Sequence, residues 1–167
     1  MTLADENATS IAAQNAATTQ MRQRLMQIRM ASRSMSVPRR SVSRRLTFKA
    51  APPAVYTTLL DGERLSALTG AQIRIDPQVG GDVAFGDGSA EAVIMELLAD
   101  RHIAVAWRPA QIPWPEKLYS TATFMLKPEG EGTQLMFFQQ DVPADAHDAV
   151  AQWWQAHLWQ GLETAFA

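Results

Sequence analysis

The chain has 167 residues, of which 47% are hydrophobic, so it is long enough for one domain with a substantial core. It contains no cysteine, which excludes disulfides, thiolate metal ligands and a cysteine nucleophile. No apolar run approaches the roughly 18 residues of a membrane-spanning helix, and we expect a cytoplasmic protein.

Charge divides the chain into two parts. Residues 1–47 carry eight arginines against two acidic residues, a net charge of +6, whereas residues 48–167 carry seven basic and fifteen acidic residues, a net charge of −8. The first part is rich in Ala, Thr, Ser, Gln and Met and does not resemble a core segment. We therefore assign residues 1–40 to a basic N-terminal extension, disordered or partly helical, and residues 41–167 to the folded domain.

The N-terminal extension has three interpretations. It is a disordered or over-annotated start, with Met30 or Met35 as the initiator and the preceding residues absent from the mature protein. Alternatively, it is a transit peptide to the mitochondrial matrix, although its two acidic residues argue against that. An arginine-rich tail for nucleic acid is the third, but it lacks aromatic residues that stack on bases, so we expect no nucleic-acid partner. Met21, Leu25 and Ile28 share one face of a short predicted amphipathic helix.

The folded domain begins with a predicted strand over residues 41–49, which Pro52 and Pro53 end. Apolar residues at helical spacing over 54–69, interrupted by an Asp-Gly pair, predict two short helices. Glycine and proline turns then separate short runs of β-forming residues. These runs predict six further strands over residues 72–76, 82–85, 90–98, 101–108, 118–127 and 133–140.

Residues 144–166 predict one long amphipathic helix. Val150, Trp154, Leu158, Leu162 and Ala165 form its apolar stripe, with tryptophan, histidine and glycine beside it. At 1.5 Å per residue, a helix of about 22 residues is roughly 33 Å long, which is enough to cross a small domain. The order of elements predicts an α+β fold in which the helix packs across an antiparallel sheet, and the space between them is the candidate site.

Several short motifs together resemble a known family. They are residues 48–56, the Gly80-Gly81 pair, residues 85–88, 101–107 and 132–135, and the tryptophan-rich last helix. Over about residues 42–167 the chain resembles the C-terminal-domain type of the family of activators of heat-shock protein 90 ATPase homologues, in the START-like (SRPBCC) superfamily. The resemblance implies a helix-grip fold, with a curved antiparallel sheet around the C-terminal helix and two short helices after strand 1, and a cavity for an apolar ligand.

Two departures from that family affect the functional interpretation. Leu68 stands where the family usually has a tryptophan near the end of the second short helix. Residues 1–40 are too short for the separate N-terminal domain with which the eukaryotic activators engage the chaperone. A stand-alone domain of this type is not thereby a chaperone activator, so a chaperone-associated interaction module remains one alternative.

The candidate ligand site consists of aromatic residues expected to point between the sheet and the helix, with a few polar groups. The excess of tryptophan favours a pocket because each indole N–H needs a partner, whereas simple core packing is the alternative for every aromatic. His157 is either an orienting group or a hydrogen-bonded structural residue, and Trp114 is either a lid or packs on the end of the sheet. The predicted ligand-binding residues are Phe85, Met95, Trp107, Trp114, Tyr119, Phe124, Phe137, Gln139, Trp154 and His157.

We predict no catalytic residues, no metal site and no cofactor. His147 and His157 differ by ten positions, about 280° around a helix, so they do not share a face. Ser89 and Ser120 have no paired histidine and acid that the sequence reveals. The remaining enzymatic alternative is a polyketide-cyclase-like reaction with His157 or Tyr119 as the acid or base.

The strand over residues 133–140 is apolar on both faces, because Leu135 and Phe137 cannot share a face with Met136 and Phe138. The outward pair predicts either a homodimer or partner surface, or a patch that the N-terminal extension covers. The leading interpretation is a non-enzymatic domain that binds a small apolar or aromatic molecule, and a protein-interaction module is the main alternative.

Overall fold

The structure, a computed structural model, describes residues 3–33 and 37–167. Helix α1 is followed by strand β1, helices α2 and α3, six further strands and a final helix. Met35, one of the two alternative initiators, lies outside the described residues. The elements before the final helix are α1 (Leu3–Arg33), β1 (Arg39–Phe48), α2 (Pro52–Leu59), α3 (Gly62–Thr69), β2 (Ile73–Ile75), β3 (Asp82–Phe85), β4 (Ala90–Leu98), β5 (His102–Pro109), β6 (Ser120–Glu129) and β7 (Gly132–Pro143).

The seven strands form one antiparallel sheet in the order β1-β7-β6-β5-β4-β3-β2. Consecutive strands from β2 to β7 pair as hairpins. Strand β1 pairs with β7 along its whole length, from Arg39 opposite Pro143 to Phe48 opposite Thr133. The sheet is curved and open, and the final helix packs on its inner face. The predicted α+β fold with a helix across an antiparallel sheet is therefore confirmed.

Helices α2 and α3 confirm the two predicted short helices. The Asp61 side chain caps the start of α3 by accepting a hydrogen bond from the Arg64 backbone N–H at 3.1 Å, which explains why the chain breaks at this Asp-Gly pair. Gly70 ends α3 in the left-handed conformation, with φ of 74°. The two helices sit at one end of the inner face and contribute Leu59 and Leu65 to the core.

The final helix, here defined as Ala144–Ala165, is less regular than predicted. A 3₁₀ turn (Ala144–Ala146) leads into α4 (His147–Trp154), a π-helical turn (Gln155–Trp159) and α5 (Gln160–Ala165). The predicted stripe is buried as far as Leu162, but Ala165 is exposed and Phe166 is buried in its place. The prediction for Ala165 was wrong because the helix ends there: Phe166 leaves the helical conformation, with φ of −115°, and its ring packs 5.5 Å from Phe48.

The inner face of the sheet and the final helix enclose an aromatic core. Trp154 lies at its centre, with ring centroids 4.8 Å from Phe137, 5.8 Å from Phe124 and 5.9 Å from Trp159. Leu135 and Phe137 are the inward pair of β7, so Met136 and Phe138 face outward and are half-buried. Such offset and edge-to-face ring pairs stabilise a core beyond the area that they bury.

Helix α1 lies against the outer face of the sheet, opposite the final helix. Ile28 packs there with Val93, Met95 and Ala106 of β4 and β5. Two exposed ion pairs join the same surfaces, Arg24 to Asp82 at 2.8 Å and Arg29 to Glu96 at 3.6 Å. Exposed pairs of this kind stabilise by about 0–1 kcal/mol, so the apolar contact dominates the docking. Within the described residues, no helix is both long enough and apolar enough to cross a membrane.

Candidate functional site: a cavity between the sheet and the final helix

A cavity of about 60 Å³ lies between the inner face of the sheet, helices α2 and α3, and the final helix. Every residue around it is nonpolar apart from the indole N–H groups of its tryptophans. The lining residues are Leu59, Leu60, Leu65, Ile73, Ile75, Val83, Phe85, Ala92, Ile94, Ile103, Val105, Trp107, Phe124, Trp153, Trp154 and Leu158. Strands β2 to β6 thus provide the floor, and three helical segments provide the roof.

The mouth of the cavity is the gap between the α2–α3 turn and the β2–β3 hairpin. Four lining residues there are half-buried whereas the rest of the lining, such as Ile94 and Trp107, is buried: Leu60, Ile75, Val83 and Phe85. The shortest strands of the sheet lie here, since β2 and β3 are only three and four residues long. A molecule can therefore reach the cavity by displacing side chains at this edge, without unfolding the longer strands.

Four of the predicted site residues line the cavity: Phe85, Trp107, Phe124 and Trp154. Phe137 and Gln139 are fully buried but lie behind this wall, in the core. The Gln139 amide accepts the Trp154 Nε1–H at 2.7 Å and donates to Ser120 Oγ at 2.5 Å. Because the protein engages both the oxygen and the nitrogen of the Gln139 amide, these contacts fix the Trp154 ring and tie Gln139 into the core.

Met95 and Tyr119 lie on the outer face of the sheet and do not line the cavity. Ile94 pairs with Val105 and Glu96 pairs with Ala104, so Met95 is the extra residue of a β-bulge. Met95 faces α1 because it follows Val93 in regular alternation, and the bulge shifts the alternation after it, so that Glu96 also faces outward. Tyr119 donates to Glu91 Oε1 at 3.1 Å and lies beneath the Arg108 guanidinium, and burial followed by the Glu91 charge raises the pKa of Tyr119.

Trp114 packs at the end of the sheet. Its ring meets Trp107 edge-on at 5.8 Å, and its Nε1–H donates to the Leu118 carbonyl at 2.8 Å. The indole therefore supports the outer side of the Trp107 ring, and the cavity mouth lies elsewhere, beside Phe85. Of the two interpretations of this loop, the geometry agrees with packing on the sheet end.

His157 belongs to a polar cluster beside the cavity, in the π-helical turn. Its ring stacks on Trp153, which lines the cavity, at 4.3 Å between centroids. Nδ1 lies 2.9 Å from the Trp153 carbonyl, and Nε2 lies 3.0 Å from Asp87 Oδ2 and 3.4 Å from Ser89 Oγ. Carbonyl and carboxylate oxygens only accept hydrogen bonds, so a ring N–H is the donor in either contact. The cluster thereby ties the final helix to the β3–β4 turn.

The same cluster brings together a serine, a histidine and an aspartate that the sequence did not connect. Their arrangement differs from a hydrolytic triad, in which the acid and the nucleophile contact opposite ring nitrogens. Here Asp87 and Ser89 approach the same nitrogen, Nε2, and Ser89 Oγ also accepts the Trp153 Nε1–H at 3.0 Å. Hydrogen bonds from Ser89, and then from His157, hold the pKa of Asp87 below its ordinary value.

One of the tryptophans that line the cavity has an unsatisfied N–H group. Among the described residues, Trp107 Nε1 is fully buried and has no hydrogen-bond partner. The other two lining tryptophans are satisfied, Trp153 by Ser89 and Trp154 by Gln139. Within the same described part of the chain, no three His, Asp or Glu side chains lie close enough to share a metal ion.

Sequence reasoning missed most of the cavity wall, because that wall is aliphatic. Ile94, Val105 and Leu158 look like ordinary core residues in the sequence, and only the curvature of the sheet leaves space beside them. The structure places the rings of both Trp153 and Trp154 at the cavity. The glycines of residues 85–88 indicated a turn, but nothing in the sequence predicted that this turn contacts His157.

Comparison with known proteins identifies the family. The family model described as "Activator of Hsp90 ATPase homolog 1-like protein" matches residues 49–167. The chain belongs to this family. One relative is the activator of 90 kDa heat shock protein ATPase homolog 1 from Mus musculus. It is 25% identical to this chain over 132 residues, which cover 79% of this chain and 38% of the relative. The Homo sapiens protein is 24% identical over the same coverage. The chain spans less than two fifths of the length of these relatives.

Solved structures share the fold. An HSP90 activator from Plasmodium falciparum superposes with a TM-score of 0.65 at 21% identity, covering 75% of this chain and 94% of that one. CalU16 from Micromonospora echinospora gives a TM-score of 0.61 at 20% identity over 78% and 85% of the two chains. The Aha1 dimer from Colwellia psychrerythraea gives 0.60 at 18% identity over 75% and 95%. The expected helix-grip fold is thus confirmed, while identities this low carry no functional detail.

Proposed function

We propose that this chain binds a small, apolar or aromatic molecule in the cavity between the sheet and the final helix. The observation that carries the proposal is a cavity lined by aliphatic and aromatic side chains, some of which are half-buried at one edge. Packed protein interiors leave few voids larger than a water molecule, and ligand pockets are mostly apolar and concave. A space of this kind, beside the short strands β2 and β3, is suited to a ligand that enters and leaves.

The size of the cavity limits the ligand. Pockets for drug-sized molecules measure roughly 300–1,000 Å³, whereas this one measures about 60 Å³. An apolar cavity of roughly 150 Å³ holds benzene, so even a one-ring ligand needs the half-buried Phe85 and Val83 to move outward. At about 0.7 kcal/mol per non-hydrogen atom, a ligand of about eight atoms binds with a Kd of roughly 0.1 mM.

Native mass spectrometry of the purified chain tests the proposal. We expect an extra mass on the folded protein that disappears on denaturation. Ala92→Leu adds three carbons inside the cavity and should abolish the extra mass, whereas Thr123→Val, on the outer face of β6, should retain it. A native mass equal to the denatured mass for the unmodified chain, after incubation with toluene at several times 0.1 mM, would contradict the proposal.

A second function, binding to an Hsp90-type chaperone, is favoured by a separate set of observations. The relatives in this family are named as activators of that chaperone's ATPase. The outer face of the sheet also exposes large apolar side chains, with Leu98 at 55% and Met125 at 42% exposure, beside the outward Met136 and Phe138. Exposed apolar patches of this kind are typical of protein–protein contacts.

The two functions use opposite faces of the sheet, so paired variants separate them. Titration of an Hsp90 chaperone with the chain, read out as ATPase activity and by calorimetry, tests the second function. If the outer face makes the contact, Met125→Glu should weaken binding at least tenfold and Ala92→Leu should leave it unchanged. The absence of any heat or rate change with the unmodified chain would rule out this second function.

A further inference from the structure

The three tryptophans that line the cavity differ in how their N–H groups are satisfied. Trp153 Nε1–H donates to Ser89 Oγ at 3.0 Å, and Trp154 Nε1–H donates to the Gln139 amide oxygen at 2.7 Å. Trp107 is as deeply buried as either, but its Nε1 has no partner among the described residues. Buried N–H groups are satisfied in the great majority of cases, so this exception needs an explanation.

A molecule bound in the cavity is the candidate for the missing acceptor, because Trp107 lines the cavity and a shift of the surrounding side chains would open its fully buried Nε1–H to it. The remaining lining residues carry no side-chain acceptor: they are Leu, Ile, Val, Ala, Phe and the two satisfied tryptophans. The lining also lacks a charged side chain, so an ion placed there would lose its hydration without compensation. A complementary molecule is therefore neutral, apolar over most of its surface, and equipped with a single acceptor atom.

The Trp107 ring is held in one orientation by its neighbours. Its centroid lies 5.1 Å from Trp153, 5.6 Å from Trp154 and 5.8 Å from Trp114, and the backbone carbonyl of Trp107 accepts the Ser120 hydroxyl at 3.2 Å. A donor fixed in this way loses little conformational entropy when an acceptor arrives. Orientation by a few polar groups in an apolar pocket is the usual basis of ligand selectivity.

We propose that the cavity selects neutral, ring-sized molecules that carry one carbonyl-type oxygen, which accepts a hydrogen bond from Trp107 Nε1–H. This inference rests on the proposed binding function and adds the chemical class of the ligand and the residue that recognises it. An aromatic ketone meets the description, whereas the hydrocarbon of the same shape leaves the N–H unsatisfied.

The test uses two probes of nearly equal shape, acetophenone and isopropylbenzene, titrated into ¹⁵N-labelled protein. We expect the Trp107 Nε1–H resonance to move downfield with acetophenone and to stay within a small ring-current shift with isopropylbenzene. The ratio of the two Kd values should change by about fivefold to tenfold in favour of isopropylbenzene in Trp107→Phe. Trp114→Phe, which removes an N–H satisfied by Leu118, should leave the ratio unchanged.

The outcomes separate the two proposals. If neither probe binds, the binding function is contradicted and this inference falls with it. If both bind and the ratio is the same in the unmodified chain and in Trp107→Phe, the inference alone is overturned. A Trp107 resonance that does not respond to bound acetophenone would also overturn it, because the ketone oxygen would then not accept from the Trp107 Nε1–H. The resonance measurement needs only the unmodified chain, so it decides even if Trp107→Phe does not fold.

Discussion

Ile94 offers the sharpest probe of the cavity, because it is fully buried on β4 and lines the floor opposite the final helix. Ile94→Ala removes three carbon atoms, whose loss of burial costs about 2.4 kcal/mol at ~0.8 kcal/mol each. The new void of roughly 80 Å³ adds about 2 kcal/mol at ~24 cal/mol per Å³. We expect a loss of about 4 kcal/mol in the free energy of unfolding, since large rings such as Trp107 and Trp154 cannot collapse into the space.

The same substitution should tighten the binding of benzene. It joins the removed volume to the existing 60 Å³ and approaches the roughly 150 Å³ of an apolar cavity known to hold benzene. Benzene at about ten times its Kd should then restore about 1.4 kcal/mol. Urea unfolding with and without benzene measures both effects. Val142→Ala, fully buried but outside the cavity lining, is the matched control and should show a smaller loss with little recovery. A loss below about 1 kcal/mol for Ile94→Ala, without recovery in benzene, would refute the reasoning.

Three further predictions concern the frame around the cavity. Gly161→Ala should lower the free energy of unfolding by about 1–3 kcal/mol in urea titrations despite the better helix propensity of alanine, because the added Cβ would lie 2.8 Å from the Leu68 carbonyl oxygen. The control Gln160→Ala, at the exposed neighbouring position, should change the free energy of unfolding by less than about 0.5 kcal/mol, and equal effects would contradict the packing argument. Gln139→Leu should cost about 1–3 kcal/mol and shift the Trp154 Nε1–H resonance, because that N–H loses its acceptor; an unmoved resonance would argue against the contact. Asp87→Asn should destabilise the chain at neutral pH, because the lowered pKa of Asp87 means that its carboxylate adds stability above the unfolded pKa of about 3.9, and that stability is lost as the pH falls through the folded pKa. The difference in the free energy of unfolding between Asp87→Asn and the unmodified chain should therefore narrow as the pH is lowered from 5 towards 2. A constant difference would contradict this account.

Most of the architecture could be predicted because the local signals are strong. The strands over 82–85 and 90–98 have the predicted bounds, and the Asp-Gly break between the two short helices coincides with a side-chain cap. Alternation along β7 gave two mutually exclusive faces, and the structure resolves the choice in favour of Leu135 and Phe137 as the inward pair. Period-2 patterning defines the two sets of a strand but cannot by itself say which set is buried when both are apolar.

The departures from the expected site come from side-chain directions that the sequence does not fix. Met95 alternates with the inward Ile94 and therefore faces α1, and Phe166 is buried where the chain leaves the final helix. Period-2 alternation separates the two faces of β4, but it does not say which face lines the cavity when both are apolar. Tyr119 precedes β6 and takes its direction from the contact with Glu91 and Arg108, which only the folded chain brings together.

Helix α1 was only partly predictable from the sequence. Its 31 residues carry little apolar periodicity, and residues 5–20 are exposed, so the sequence predicted no more than a short amphipathic segment. The segment that packs, around Ile28, is the one whose face the apolar spacing indicated. Its docking surface combines Val93 and Met95 of β4 with Ala106 of β5, so the contact could not be read from either segment alone.

The measurement that tests the central claim most directly is the location of a bound probe by intermolecular nuclear Overhauser effects. In protein labelled at the methyl groups and saturated with toluene, contacts should appear between the probe and the methyl groups of Ile94 and Leu158, on opposite walls of the cavity. That result would place an apolar ligand between the sheet and the final helix, as the account predicts. Contacts confined to outer-face groups such as Met125 and Met136, or none at all, would contradict it.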